Sequence, residues 1–159
     1  MLSNLDIARP FVRSTIEILS LMAGINASAG TPYVKKGVVA EGDVSAIVGV
    51  TGDRTGSIAV SFTKPCAVAL VKGMLGEDIQ DALQDIQDAV GEMTNMVSGQ
   101  ARAGLRELGL TLSGSTPTII IGDGHTIRHV SRSPVIAIPF TTPDGGFTVE
   151  FCFEEPADG

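Results

Sequence analysis

Residues 78–108 read DIQDALQDIQDAVGEMTNMVSGQARAGLREL. The stretch contains no proline, and most of its residues favour helix. Ile79, Leu83, Ile86, Val90, Met93 and Val97 recur at three- and four-residue spacing, the pattern of a helix with a single buried stripe. The spacing predicts one helix over 78–108, the longest in the chain. Residues three or four apart share a helical face. Asp85, Asp88, Glu92, Asn95, Gly99 and Arg102 therefore form a polar line facing away from the stripe. Whether that line is only hydrated or is a working surface decides the functional reading.

Composition narrows the choices. A chain of 159 residues with 43% hydrophobic content is long enough for one domain with a substantial core, and too apolar to be disordered. A net charge of −7 is the wrong sign for nucleic acid or for an anionic membrane surface. Nineteen glycines point to tight turns of the kind hairpins need. Cys66 and Cys152 sit among apolar neighbours and read as buried free thiols. No charged-then-apolar leader opens the chain and no apolar run reaches membrane-spanning length, so the cytoplasm is the expected location.

Around the long helix the remaining elements fall into order. Residues 3–22 read as a helix interrupted by Pro10, which either starts the regular helix or kinks its first turn. An extended segment follows over 27–35, then a hairpin of 43–50 and 56–62, then a short helix over 65–75 closed by Gly76. Beyond the long helix, extended segments are expected at 110–113, 117–121, 126–130, 135–141 and 147–153, with a turn at 143–146. Residues 24–32 match 109–117 at an offset of 85, and Ala46, Ile47, Thr51, Asp53 and Phe62 match Ala137, Ile138, Thr142, Asp144 and Phe153 at an offset of 91. Residues 1–159 thus read as a single domain of two repeats, about 4–63 and 79–154, joined by the short helix 65–75. Neither repeat can bury its apolar face alone. The expected fold is an internally duplicated α/β (α+β) two-layer sandwich, with two long helices packed on a mainly antiparallel sheet in pseudo-twofold symmetry. In that arrangement one sheet face is left for solvent or for a partner.

Most conventional chemistry is absent from the sequence. His125 and His129 are four apart in a strand or loop, without the further ligands a zinc site needs. Gly122-Asp123-Gly124 is followed by no helix and so makes no phosphate cradle. No Gly-x-Ser-x-Gly elbow occurs. The polar line remains. Asn95, a mediocre helix former, and Gly99, a poor one costing roughly 1 kcal/mol against Ala, lie one turn apart on it. Asp85, Asp88 and Glu92 place like charges together. A purely structural helix gains nothing from these choices, and a missing side chain at Gly99 lets another body approach closely.

Asp88-x3-Glu92-x2-Asn95, followed 22 positions later by Pro117, resembles the signature of the CheC/CheX/FliY-type chemotaxis phosphatases, and the resemblance extends over nearly the whole chain. It implies an enzyme that dephosphorylates a phospho-aspartyl, CheY-like response regulator in chemotaxis or two-component signalling. Asn95 would position the attacking water and Glu92 would dock against a lysine of the regulator. Asp88 would add a partner contact; Gly99, by its place on the helix, would permit close docking. Subtracting the offset of 85 places Ile7 and Pro10 where the second half has Glu92 and Asn95, so one half alone carries the motif, as in the CheX type, for which a homodimer is the expectation. No cofactor of the chain's own is implied; Mg2+ would be held by the regulator. The competing reading is a non-catalytic module of the same fold that binds a response regulator or flagellar-switch protein.

Overall fold

The structure, a computed structural model, describes residues 2–76, 82–129 and 132–154. Its first element is α1 (Asn4–Ala23), opened by a capping box. Ser3 Oγ accepts from the Asp6 amide at 3.1 Å, and Asp6 Oδ2 accepts from the Ser3 amide at 2.9 Å. The regular helix does not begin at Pro10: α1 already runs from Asn4. The capped start nucleates the helix ahead of the proline, which is carried inside it and buried. Gly24 ends α1 in the left-handed conformation, φ 65°.

Two short strands follow, β1 (Ser28–Ala29) and β2 (Tyr33–Val34), then the hairpin β3 (Val44–Gly52) and β4 (Gly56–Phe62), and then α2 (Lys64–Leu75). The long helix is α3 (Ala82–Glu107); its expected beginning over 78–81 lies outside the described residues. After it come β5 (Leu112–Gly114), β6 (Thr118–Ile121), β7 (Ile136–Thr142) and β8 (Gly145–Phe153). The extended segment expected at 126–130 is not a strand where it is described. Thr126 makes an isolated bridge to Val39; Val130 lies outside the described residues.

All strands join one antiparallel sheet in the order β1-β7-β8-β4-β3-β5, with β2 also on β7 and β6 also on β3. Each long helix is thus followed by two short strands and a hairpin. The short strands behind α1 pair with the hairpin of the second half, and those behind α3 pair with the hairpin of the first. The connection crosses the molecule twice, so each half completes the other's sheet.

Alternate strand residues face α1 and α3. Val44, Ala46, Val48, Ile58, Val60, Phe62, Val149 and Phe151 pack with Phe11, Leu19, Val90, Met93, Val97 and Leu105 in one core. Stacked rings reinforce it, Phe11 on Phe151 at 5.1 Å and Phe140 on Phe147 at 4.8 Å between centroids. The stripe on α3 differs from the expected one at its ends. Leu83 is 58% exposed and Ile86 half-buried, whereas burial continues through Ala101 and Leu105. Past Val97 the buried positions continue at four-residue spacing, through Ala101 to Leu105.

The other sheet face is not left open. Its central positions, Ser45, Ser57, Ala59, Ser61 and Glu150, are buried, because the segments around Lys35 and His125–His129 lie across them. Ser45 Oγ bonds Ser61 Oγ at 2.7 Å and His125 Nε2 at 2.6 Å. Ser57 Oγ bonds His129 Nδ1 at 2.6 Å, and Glu150 accepts from His129 Nε2 at 3.1 Å and Lys35 Nζ at 2.9 Å. The small polar residues of this face, which would suit solvent, here satisfy a covering strap instead.

Candidate active site

Glu92 and Asn95 lie near the middle of α3, where the helix is held from behind. Ala89, Val90, Met93, Thr94, Val97 and Ser98 are buried beneath them, and Thr94 Oγ1 donates to the Val90 carbonyl at 2.7 Å. Gly91 sits against the sheet: a Cβ there would lie 3.4 Å from Ile119 Cδ1 of β6. The helix is therefore a rigid platform, and its outward side chains have fixed origins. Glu92 and Asn95, three residues apart on one face, are both exposed. Among the described residues neither side chain has a hydrogen-bond or ion-pair partner.

The rest of the polar line is brought to the same face. Asp88 is exposed and accepts from Gln84 Nε2 at 2.9 Å. Gly99 is half-buried, and a Cβ added to it would meet nothing nearer than an Arg102 guanidinium nitrogen at 3.9 Å. Beside this line runs a shallow groove of about 300 Å³ lined by Ile18 of α1 with Met96, Gly99, Gln100 and Ala103. Periodicity did not reveal this groove, nor the seat that Gly114 of β5 provides for Arg102. Both depend on contacts between separate elements. The glycine itself, in Leu112-Ser113-Gly114, was the available signal.

His125 and His129 belong to the strap, each bonded to a serine of the sheet. Among the described residues no group of three or more His, Cys, Asp and Glu side chains is placed to hold a metal ion. Both cysteines are buried; Cys152 Sγ donates to the Ser133 carbonyl at 3.1 Å, and burial pushes the Cys66 thiol up from its ordinary value. Ile7 and Pro10 of α1, the positions matched to Glu92 and Asn95, are both buried.

An exposed acid and amide side by side on a braced helix suit a protein that orients a reactant held by another. A family model for the chemotaxis phosphatase CheX matches residues 44–141. The chain belongs to the CheX chemotaxis phosphatase family. The crystal structure of a chemotaxis protein CheX from Desulfovibrio desulfuricans is 65% identical, covers 94% of this chain and 99% of its own, and superposes with a TM-score of 0.90. The CheY-P phosphatase CheX of Thermotoga maritima is 26% identical over 136 residues, 85% of this chain and 86% of that one. The CheX–CheY–BeF3–Mg2+ complex from Borrelia burgdorferi shares the fold, with 24% identity, 96% and 100% coverage and a TM-score of 0.80. This chain joins two long helices to one antiparallel sheet, and no helix among its described residues is long and apolar enough to cross a membrane.

Proposed function

We propose that the chain hydrolyses the aspartyl phosphate of a CheY-like response regulator in the cytoplasm, with Asn95 placing the water and Glu92 docking the regulator. The observation that carries this reading is the presentation of Glu92 and Asn95, exposed on a braced helix and without hydrogen-bond or ion-pair partners among the described residues, in a chain of the CheX family. Related proteins support the substrate: one CheX is a CheY-P phosphatase, and another forms a complex with CheY, BeF3 and Mg2+.

The chemistry asks little of the helper. An aspartyl phosphate is an acyl phosphate, and Mg2+ bound by the regulator neutralises charge on the phosphoryl oxygens. Phosphoryl transfer then depends on placing a water in line with the breaking bond. The Asn95 carbonyl accepts from that water, and its NH2 donates toward the phosphoryl group or the regulator. Glu92, one turn away, pairs with a lysine at the regulator's site; Asp88 adds a contact and Gly99 lets the partner close on the helix. We also read 1–159 as one domain of two repeats, of which the second alone keeps the motif, and as a homodimer, which sedimentation at assay concentration would test.

The experiment is phosphate release from a phosphorylated CheY-like receiver domain. Asn95→Ala should slow turnover on the order of a hundredfold while its thermal unfolding stays that of the parent. An unchanged rate removes Asn95 from the mechanism. Glu92→Ala should weaken both binding and turnover. If Glu92→Ala weakened binding while no variant altered the basal rate of dephosphorylation, the chain would be a binding module rather than an enzyme.

A further inference from the structure

Arg102 is the one cation of the polar line, and the chemistry above assigns it no task. Its side chain folds back along α3 toward the N-terminus, the direction helical side chains take. Nε lies 3.3 Å from Ser98 Oγ, and Nη2 lies 3.9 Å from where a Cβ of Gly99 would stand. From the other side β5 meets it. A Cβ at Gly114 would lie 3.0 Å from Cζ and Nε and 3.1 Å from Nη2. Gly114 is not among the glycines of positive φ, so its missing side chain answers to space and not to backbone conformation. The guanidinium is thereby seated about one helical turn beyond Asn95. Among the described residues no carboxylate lies within 4.0 Å of it. A chain with a net charge of −7 thus holds a half-buried cation on its candidate working face, seated between α3 and β5 and without a counter-ion among the described residues.

We propose that Arg102 docks a carboxylate on the rim of the regulator's phosphorylation site and so sets the direction in which the regulator lies along α3. The inference rests on the reading of Glu92 and Asn95 given above. Its chemistry follows from what the partner must contain. A site that binds Mg2+ against a phosphoryl group is built with carboxylates, and its rim is anionic. The planar guanidinium presents donors in a fork that matches a carboxylate. The acidic end of the line, Asp88 and Glu92, receives a cation, while the Arg102 end receives an anion. A face with charge of opposite sign at its two ends admits a partner one way round and penalises the reverse.

The test uses the intact chain with a CheY-like receiver domain charged with BeF3 and Mg2+ for binding, and the phosphorylated domain for turnover. Arg102→Gln should raise Kd and KM roughly five- to tenfold with kcat kept, and should flatten the dependence of Kd on salt. Arg102→Lys should recover part of the affinity. Gly114→Ala crowds the guanidinium without removing it; it should give an intermediate loss alone and no further loss when combined with Arg102→Gln. Unchanged Kd and KM in Arg102→Gln, with turnover lost in Asn95→Ala, would remove the role of Arg102 and leave the active-site reading standing. A salt-independent change accompanied by a lowered melting temperature would show a structural role and equally overturn the inference. Full turnover in Asn95→Ala would overturn both.

Discussion

Glu150 is buried, and an isolated buried carboxylate is too costly to keep ionised. It survives in β8 because Lys35 Nζ reaches one of its oxygens at 2.9 Å and His129 Nε2 the other at 3.1 Å. Burial pushes its carboxyl up, but the hydrogen bonds from His129 and Lys35 and the Lys35 charge together hold it below the ordinary 4.5. A carboxyl depressed in the folded state stabilises above its unfolded value, and that stabilisation is lost as pH falls through the folded one. Resistance to denaturant should therefore decline below about pH 4.5. Glu150→Gln should flatten that acid limb and cost roughly 3 kcal/mol at neutral pH, since Lys35 is left buried and unpaired. Urea titrations of both proteins across this range decide the matter, and a variant as stable as the parent at pH 7 would show the network to be dispensable. Phe147-Thr148-Val149-Glu150-Phe151 reads in the sequence as a strand, with no role given to its acid. The partners of Glu150 were not legible there, because Lys35 is 115 positions away. Glu92 and Asn95 could be read more directly, since two exposed residues three apart on one helix need only helical geometry to be placed together.

Among elements, the junction of α1 and α2 shows tertiary contact overruling local preference. Gly73 lies inside α2, where Ala would be favoured by about 1 kcal/mol on propensity. A Cβ there would stand 2.1 Å from the Ala23 carbonyl oxygen at the end of α1. Gly73→Ala should therefore destabilise by roughly 1–3 kcal/mol through overpacking, read as a lower melting temperature. A raised melting temperature would show that the two helices can move apart freely. Pro10 makes the converse point. Its local rule is to interrupt a helix, yet the capping box at Ser3 starts α1 ahead of it. Pro10 then fills the crossing with α3, where a Cβ at Gly104 would lie 3.0 Å from its own Cβ. The stretch around Thr126 was expected to be extended, and Thr126 makes an isolated bridge to Val39 outside the named strands. The stretch became a strap pinned by histidines.

For the molecule as a whole, the exchange of short strands makes each half dependent on the other: β1 and β2 lie on β7, β5 and β6 on β3. The two long helices occupy corresponding places but not equivalent environments. Ile7 is 1% exposed and Pro10 is buried, whereas Glu92 and Asn95 face outward. Writing the motif into the first half should not create a second site. Ile7→Glu should cost several kcal/mol, on the order of what an unpaired buried charge costs. The chain carrying Ile7→Glu and Pro10→Asn should unfold at lower urea without added turnover. A stable double variant with twice the rate would mean the buried face can open. Spacing within single elements determined the helices, the two hairpins and the Glu92–Asn95 pair, because helical and strand periodicities are written into consecutive residues. Only the tertiary structure decided that a strap closes the second sheet face, that Ile7 and Pro10 are covered, and that Arg102 rests on Gly114. Those contacts join residues whose separation along the chain follows no period, so nothing local in the sequence records them.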